Sequence, residues 1–300
     1  MIKQKLVASM IIAGCFFSAF KANVNANCKI FDMYKNDISI LDQYKSYRKC
    51  HGFYKSYLYG LPVVSKGVII DKDLSEEEIQ KIKQNLGNTL MCRPDAPFNN
   101  WFNLPRGREL KVEDINEFLC ECKQKNKEAV LLCFQFPSMY FTGKYMQRYE
   151  RTGAFNIVID WEKGIHIDFV GKGFDGGELT KGKNKSHTQM YIPWYLLEWS
   201  PDFIWDFANL KNISKDDYEL SRKRRLDFLK EVGYPIGKVE ESIPQGAACL
   251  KKDTFIDLFN GCVRNVLRGE ENFNHKVPTM LLVELFETKF YVVEIWDSNL

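Results

Sequence analysis

The sequence predicts an α+β protein, with mixed or antiparallel sheets and flanking helices arranged in two lobes. Two pairs of largely apolar runs are each joined by a short polar turn, at residues 155–170 and 279–296, and each pair indicates a β-hairpin. Other segments repeat apolar residues every three or four positions, which is typical of one face of a helix. We expect an N-terminal lobe at 27–128 and a C-terminal lobe at 129–300, with an aromatic and helical insertion at 192–270.

The clearest predicted helix begins after Ser75. Ser75 is a favourable N-cap, and Glu78 at the third helical position completes a capping box. Leu74, just before the cap, can pack on Ile79 as a hydrophobic staple. The apolar residues in 112–119 predict a second amphipathic helix.

Two apolar runs of the N-terminal half carry polar residues suited to a ligand. Residues 89–97 read as a buried strand that delivers Arg93 near its end and is stopped by two prolines. Residues 129–136 are almost continuously apolar, which predicts a central strand covered on both faces. Gln135 is the one polar interruption of that run.

The N-terminus resembles an export signal. Lys3 and Lys5 precede an apolar run at 6–20, and small residues at 24–26 form a cleavage site. We expect a signal-peptide-like segment at 1–26 and an exported protein, either secreted, periplasmic or lipid-anchored. Membrane attachment requires acylation of Cys15, which lies in a lipoprotein-type site. The alternative is a buried first helix in a cytoplasmic protein.

Charge and histidine content exclude several functions. The formal net charge of +3 over 300 residues gives no reason to expect nucleic acid as a partner. The four histidines are scattered and form no zinc-hydrolase motif. Hydrophobic residues make up 45% of the chain, which is enough for a large core.

The cysteines leave two interpretations open. Eight cysteines follow Cys15, and an even number suits disulfides in an oxidising compartment. Cys92 and Cys133, however, lie inside apolar strand-like runs, where a free thiol acts as a small buried hydrophobe. Oligomeric state is left open as well.

A glycine-rich loop follows the first predicted hairpin. Residues 168–182 contain five glycines together with Lys172 and Lys181. A strand that leads into such a loop can bring backbone N–H groups close to an anion, and phosphate is the usual candidate. The alternative is a long mobile loop with solvated lysines.

Two glutamates interrupt the apolar strands of the C-terminal hairpin. Glu284 and Glu294 need partners if buried, because an unpaired buried carboxylate is costly. A divalent metal with ATP is one solution. A salt bridge to Arg93 or to a lysine is the other.

The order of these motifs resembles the ATP-grasp nucleotide-binding domain of pyruvate phosphate dikinase and phosphoenolpyruvate synthase. The resemblance covers roughly residues 55–296 and rests on order and spacing. It is carried by Gly-Leu-Pro-Val and Gly-Val-Ile-Ile within 60–70, Leu-Met-Cys-Arg-Pro-Asp-Ala at 90–96, the strand at 129–136, the glycine loop at 171–182, Leu-Leu-Val-Glu-Leu at 281–285 and Tyr-Val-Val-Glu-Ile at 291–295.

The resemblance implies an ATP-grasp-like fold that binds ATP and Mg²⁺ and transfers a phosphoryl group to an unidentified acceptor. Catalysis then depends on positioning and charge neutralisation. The implied catalytic residues are Arg93, Lys172 and Lys181, the implied cofactor-binding residues are Gln135, Arg106, Arg108, Gly171 and Gly173, and the implied metal ligands are Glu284 and Glu294. Asp168 or Asp175 is expected to assist the metal or the acceptor.

The chain also departs from that family. Pro94 and Asp95 stand where the family has two serines, and Trp296 stands where it has a closing arginine. No phosphohistidine domain is present, so the dikinase reaction itself is not expected. A ligase-type or kinase-type transfer is the implied activity.

Two other functions remain open. An export signal conflicts with ATP-dependent catalysis, because ATP is scarce outside cells. The first alternative is therefore an exported, catalytically inactive binding protein on an ATP-grasp-like scaffold. The second is a structural protein in which the arginines and glutamates form only internal ion pairs.

Overall fold

The structure is a computed structural model that describes most of the chain after residue 28. The described segments are 29–35, 38–97, 103–135, 141–142, 145–146, 151–172, 179, 186, 188–210, 223, 227, 250–273, 275–276, 278–286 and 289–296. The predicted export segment and the predicted site residues Gly173, Asp175 and Lys181 lie outside them. Within these segments no helix is both long enough and apolar enough to cross a membrane.

The first sheet takes its strands from the N-terminal half and is antiparallel throughout. The strands are β1 (Lys29–Asp32), β2 (Lys66–Ile70), β3 (Thr89–Asp95), β4 (Arg108–Lys111) and β5 (Val130–Phe134). They lie in the order β1-β2-β5-β3-β4. The associated helices are α1 (Ser39–Gln43), α2 (Arg48–Leu58), α3 (Glu76–Leu86) and α4 (Ile115–Lys125). The strand predicted to be central, β5, is central and fully buried.

The second sheet is also antiparallel throughout. Its strands are β8 (Arg151–Asp160), β9 (Gly164–Gly171), β10 (Thr188–Pro193), β11 (Thr279–Phe286) and β12 (Lys289–Trp296), and a separate two-stranded ladder pairs β6 (Phe141–Thr142) with β7 (Tyr145–Met146). The order is β10-β9-β8-β11-β12. The helices are α5 (Pro201–Leu210), α6 (Lys252–Leu258) and α7 (Arg264–Arg268), the last two joined by a π-helical turn at Phe259–Val263.

Short 3₁₀ turns connect several of these elements, at Met33–Lys35, Val112–Asp114, Trp194–Leu196 and Glu270–Asn272. Both predicted hairpins are present, as the β8–β9 and β11–β12 pairs. The chain is therefore an α+β protein with two antiparallel sheets and flanking helices. The strand β5, which follows the predicted lobe boundary at residue 129, pairs with β2 and β3 in the first sheet.

Each sheet buries an apolar face under helices. On one side of the first sheet, α3 and α4 cover a core, while α2 covers the other side. One face of the second sheet packs against α5, α6 and α7, with Phe155, Ile157 and Phe255 fully buried. Burying each such side chain contributes about 1.5–3 kcal/mol, so these cores hold the layers together.

Local signals in the sequence explain two of the chain reversals. Ser75 and Glu78 form the predicted capping box at the start of α3. Gly164 follows the β8–β9 turn with φ +139°, and a Cβ at that position would collide with the carbonyl oxygen of Ile192 on β10. Only glycine fits this close approach, which sets the register that carries Asp168 along β9.

The helix α2 lies where the two sheets meet. Its Phe53 belongs to the core of the first sheet, while a Cβ at its Gly52 would come within 3.0 Å of Ile295 Cγ2 on β12. The backbone N–H of Val292 donates to the carbonyl of Pro62 at 2.7 Å. The start of α2 is therefore held beside the edge strand of the second sheet.

The described cysteines are free thiols, namely Cys50, Cys92, Cys120, Cys122, Cys133 and Cys262. Cys92 and Cys133 are fully buried and directly opposite each other on β3 and β5. The prediction that these two act as small buried hydrophobes is confirmed.

Candidate functional site

The arginine predicted to bind phosphate reaches from the first sheet to the second. Arg93 on β3 forms an ion pair with Glu294 and donates a second hydrogen bond to the carbonyl of Val293, both on β12. Arg48, at the start of α2, places Nη2 3.4 Å from Glu294 Oε2. Trp296 Nε1 donates to the same oxygen at 3.1 Å. The alternative of a salt bridge between Arg93 and Glu294 is therefore what the structure shows.

Further charges surround this pair. Lys49 donates from Nζ to the carbonyl of Pro94 at 2.5 Å. Asp95 is buried and accepts hydrogen bonds from the backbone N–H groups of Cys50 at 2.8 Å and Ala96 at 3.0 Å. The Arg48 guanidinium lies 3.1 Å from the ring centre of Trp296. We refer to Arg48, Lys49, Arg93, Asp95 and Glu294 as the charge cluster.

The charge cluster holds three cations and two carboxylates, so its formal charge is +1. Burial, followed by the nearby Arg93 charge, lowers the pKa of Lys49 from its usual value to about 8. Burial alone would raise the pKa of Glu294, but the Arg93, Arg48 and Lys49 charges outweigh it and lower that pKa. The excess positive charge at Lys49 is the electrostatic feature that an anion would relieve.

The second predicted metal ligand lies on the same face of the second sheet as Glu294. Glu284 is buried on β11 and pairs in register with Tyr291, while Glu294 pairs with Leu282. The register shift after Leu282 makes this possible, because it adds one residue to β12 and restores Glu294 to the face of Glu284. The two carboxylates are thus diagonal neighbours, at about 7–8 Å between Cα atoms.

The same face carries polar residues on two more strands. Asn156 on β8 pairs in register with Asp168 on β9 and with Leu282 on β11. Asp168 accepts a hydrogen bond from Ser186 Oγ at 2.8 Å, and Ser186 in turn accepts one from Gln189 at 2.5 Å. We refer to Asn156, Asp168 and Glu284 as the polar face of the second sheet.

Other predicted site residues lie elsewhere. Arg108 pairs in register with Cys92, so it lies on the face of β3 and β4 opposite Arg93, where it contacts Glu121 at 2.6 Å. Arg106 is exposed in the turn before β4. Arg108 therefore lies apart from Arg93, whereas Gly107, next to Arg106, packs against Arg93, with a Cβ there 3.4 Å from Arg93 Cγ.

The remaining predicted residues lie at strand ends. Gln135 follows β5, in the first sheet, and its Nε2 is 3.9 Å from a Cβ built at Gly87. Gly171 ends β9 opposite Gly153, and Lys172 is exposed directly after it. Gln135 therefore lies at the edge of the first sheet, and Gly171 and Lys172 lie at the edge of the second.

Sequence reasoning missed three residues that the tertiary structure brings to this region. Arg48 and Lys49 lie in a segment with no clear pattern, and only the docking of α2 against β12 places them beside Glu294. Asn156 had a signal, since it is a polar residue at an inward position of a period-2 strand. Among the described residues no three His, Cys, Asp or Glu side chains converge as a metal site.

No protein-family model matches the chain, and no curated protein matches it at a significant level.

Proposed function

We propose that this chain binds a magnesium–nucleoside triphosphate, ATP by its resemblance to ATP-grasp domains, where the two sheets meet. The proposal is carried by one observation. Cations from α2 and β3 contact the Glu294 carboxylate of β12 at the junction between two antiparallel sheets, and Glu284 of β11 lies diagonally from Glu294 on the same sheet face. Phosphoryl transfer requires this combination, because it depends on positioning and charge neutralisation.

The roles follow from the chemistry of the side chains. Lys49 and Arg93 would hold phosphate oxygens, since an added anion offsets the excess positive charge of the cluster. Glu284 supplies a buried carboxylate, the hard oxygen ligand that Mg²⁺ prefers. Magnesium, when bound, neutralises charge on the phosphate oxygens. Phosphate competing for Arg93 would release Glu294 as a second oxygen donor.

The acceptor would receive the phosphoryl group through a carboxylate, as in a ligase, or a hydroxyl, as in a kinase. Both reactions use the same charge neutralisation, so the junction supports them equally. Export through residues 1–26 remains part of the proposal, and sequencing the N-terminus of the mature protein tests it.

An exported binding protein without catalysis is the second candidate. It is favoured by a specific observation, namely that Glu294 is already engaged by Arg93, Arg48 and Trp296. A glutamate held in this way does not need a metal. On this alternative the nucleotide binds but is not consumed.

Thermal and urea unfolding with and without Mg²⁺-ATP tests the proposal. A ligand bound only by the native state raises the free energy of unfolding by about 2.7 kcal/mol at a hundredfold excess over Kd. We expect Lys49→Met and Glu284→Gln to reduce that increase. Arg108→Ala is the matched control, because Arg108 lies on the opposite face of the first sheet.

Three outcomes separate the candidates. Stabilisation by Mg²⁺-ATP that fails in Lys49→Met and Glu284→Gln but not in Arg108→Ala supports the junction site. The same result without ATP consumption across a screen of acceptors favours the binding protein. No stabilisation at millimolar Mg²⁺-ATP contradicts nucleotide binding and leaves the charge cluster as a structural ion-pair network.

A further inference from the structure

Asn156 is the most unusual polar residue of the second sheet. It is fully buried at the middle of β8, and among the described residues neither its amide nitrogen nor its amide oxygen has a hydrogen-bond partner. Leaving a buried donor or acceptor unsatisfied costs about 1–3 kcal/mol for each group. A native protein retains such a group when something else satisfies it, such as a water, an ion or a ligand.

The register of the sheet shows what surrounds this amide. Asn156 lies opposite Asp168, a pairing that places the Cβ atoms about 4.5–5.5 Å apart. Glu284 on β11 pairs with Ala154, two residues along β8, and is therefore the diagonal neighbour on the other side. The alternate residues Phe155 and Ile157 belong to the apolar core, so the three polar side chains share the opposite face.

The polar face is shielded from solvent. Asp168 and Glu284 are buried as well, and Leu179 packs there against Ala154 and Val170. Ser186 Oγ donates to Asp168 Oδ1 at 2.8 Å, so part of this carboxylate is satisfied by a neighbouring hydroxyl. Two carboxylates and an amide therefore offer oxygen atoms on one face that has reduced access to water.

We propose that Asn156, Asp168 and Glu284 bind a divalent cation of the Mg²⁺, Mn²⁺ or Ca²⁺ class. All three offer oxygen donors, which such hard cations prefer, and none offers the nitrogen or sulfur that would select zinc or copper. Asn156 Oδ1 and Asp168 are the central ligands. Glu284 completes the site from the diagonal position, directly or through a metal-bound water, as Mg²⁺ commonly retains several waters.

This inference deepens the proposed function and rests on it in assigning Glu284 to the metal. It moves the centre of the metal site from the Glu284–Glu294 pair toward β8 and β9. The reason is electrostatic, because Glu294 is held by two arginines and Asn156 is held by nothing. Its probe is the metal alone, without nucleotide.

The experiment measures Mn²⁺ binding to the full chain by electron paramagnetic resonance and by thermal unfolding. We expect the unmodified chain to bind Mn²⁺ and to gain stability from it. Asn156→Val and Asp168→Asn should each weaken binding about tenfold or more, by loss of an interaction with a charged group. Asn156→Asp should lower stability without metal and bind Mn²⁺ more tightly, because it adds a second central carboxylate.

Asp160→Asn is the matched control. Asp160 is a buried carboxylate on the same strand and face, but it accepts the backbone N–H of Glu162 at 3.1 Å in the turn. Its substitution should leave Mn²⁺ binding unchanged. Absence of Mn²⁺ binding in the unmodified chain, or binding that Asn156→Val and Asn156→Asp leave unaltered, overturns the proposal and indicates a buried water at Asn156.

The two proposals fail separately. Mn²⁺ binding without any stabilisation by Mg²⁺-ATP would contradict the nucleotide site and leave the cation site standing. Stabilisation by Mg²⁺-ATP that is insensitive to Asn156→Val, in a chain that does not bind Mn²⁺ alone, would support the nucleotide site and contradict this one.

Discussion

The charge cluster reaches the second sheet through Glu294 on β12, beside the β11 strand of the polar face, yet the buried polar groups of the two regions differ in how they are satisfied. In the charge cluster, Arg48 and Arg93 both contact Glu294, and the Asp95 carboxylate accepts two backbone N–H groups. On the polar face the Asn156 amide is buried without a hydrogen-bond partner. The difference shows that the two carboxylates of the charge cluster are partnered by nearby donors, whereas the Asn156 amide has no such partner among the described residues.

The largest expected effect comes from breaking the charge cluster. Glu294→Ala leaves Arg48, Lys49 and Arg93 with Asp95 as the one remaining carboxylate of the cluster. Removing one partner of a buried ion pair costs about 3–5 kcal/mol, because the opposite charge remains buried and unpaired. The side chains of Arg93 and Glu294 are 14% and 13% exposed, which places them in that category. Urea unfolding measures the change.

Arg108→Ala provides the control for this prediction. The Arg108–Glu121 pair is 2.6 Å long but 50% and 43% exposed, so its loss should cost less than about 1 kcal/mol. If Glu294→Ala lowers the free energy of unfolding no more than Arg108→Ala does, the charge cluster is solvated in solution. The contrast between the charge cluster and the polar face would then disappear.

The next effect has the opposite sign. In metal-free buffer, Asn156→Val should preserve or raise the free energy of unfolding, by up to about 1–3 kcal/mol, because it removes a buried amide without a partner. Valine also suits a strand interior. Urea unfolding in the presence of a chelator measures the change. A clear destabilisation would mean that the amide is satisfied in the native protein without a divalent metal.

A third effect is a dependence of stability on alkaline pH that comes from Lys49. Its pKa is about 8 in the folded protein and is lowered from 10.5, so the unfolded state binds more protons between these values. Stability therefore rises with pH across that window, by at most about 1.4 kcal/mol per pH unit. Lys49→Met should remove this rise.

Urea unfolding of the unmodified chain and of Lys49→Met from pH 7 to pH 10.5 gives the free energy of unfolding of each as a function of pH. The difference between the two slopes belongs to Lys49, since the other titrating groups are common to both proteins. Equal slopes would show that Lys49 is well solvated when folded. The positive charge of the cluster would then be screened by water, which weakens the argument for phosphate binding.

Much of the fold follows from local patterns in the sequence. The capping box at Ser75 and Glu78 set the start of α3, and apolar runs joined by short polar turns predicted the β8–β9 and β11–β12 hairpins. These signals are readable because each depends on residues close together in the chain. The buried thiols of Cys92 and Cys133 were predicted for the same reason, from the apolar runs that contain them.

The candidate site was readable only in part. Arg93 and Glu294 were singled out as polar interruptions of apolar strands, and a salt bridge between them was one of two interpretations. Choosing between the salt bridge and the metal site required knowing whether β3 lies next to β12. Arg93 and Glu294 are 201 positions apart in the chain, so no local pattern shows this. Arg108 was expected beside Arg93 but lies on the opposite face of the first sheet, because sequence proximity does not reveal which face of a strand a residue occupies.

By itself the sequence determined which segments form helices and strands, and which positions within apolar strands carry polar residues. The tertiary structure decided which residues lie next to those positions. The docking of α2 brought Arg48 and Lys49 to Glu294, and a register shift after Leu282 placed Glu294 on the same sheet face as Glu284. The physical reason is the distance along the chain over which each interaction acts. Caps and strand periodicity act over a few residues, whereas burial and charge pairing depend on surfaces that meet only after the sheets have formed.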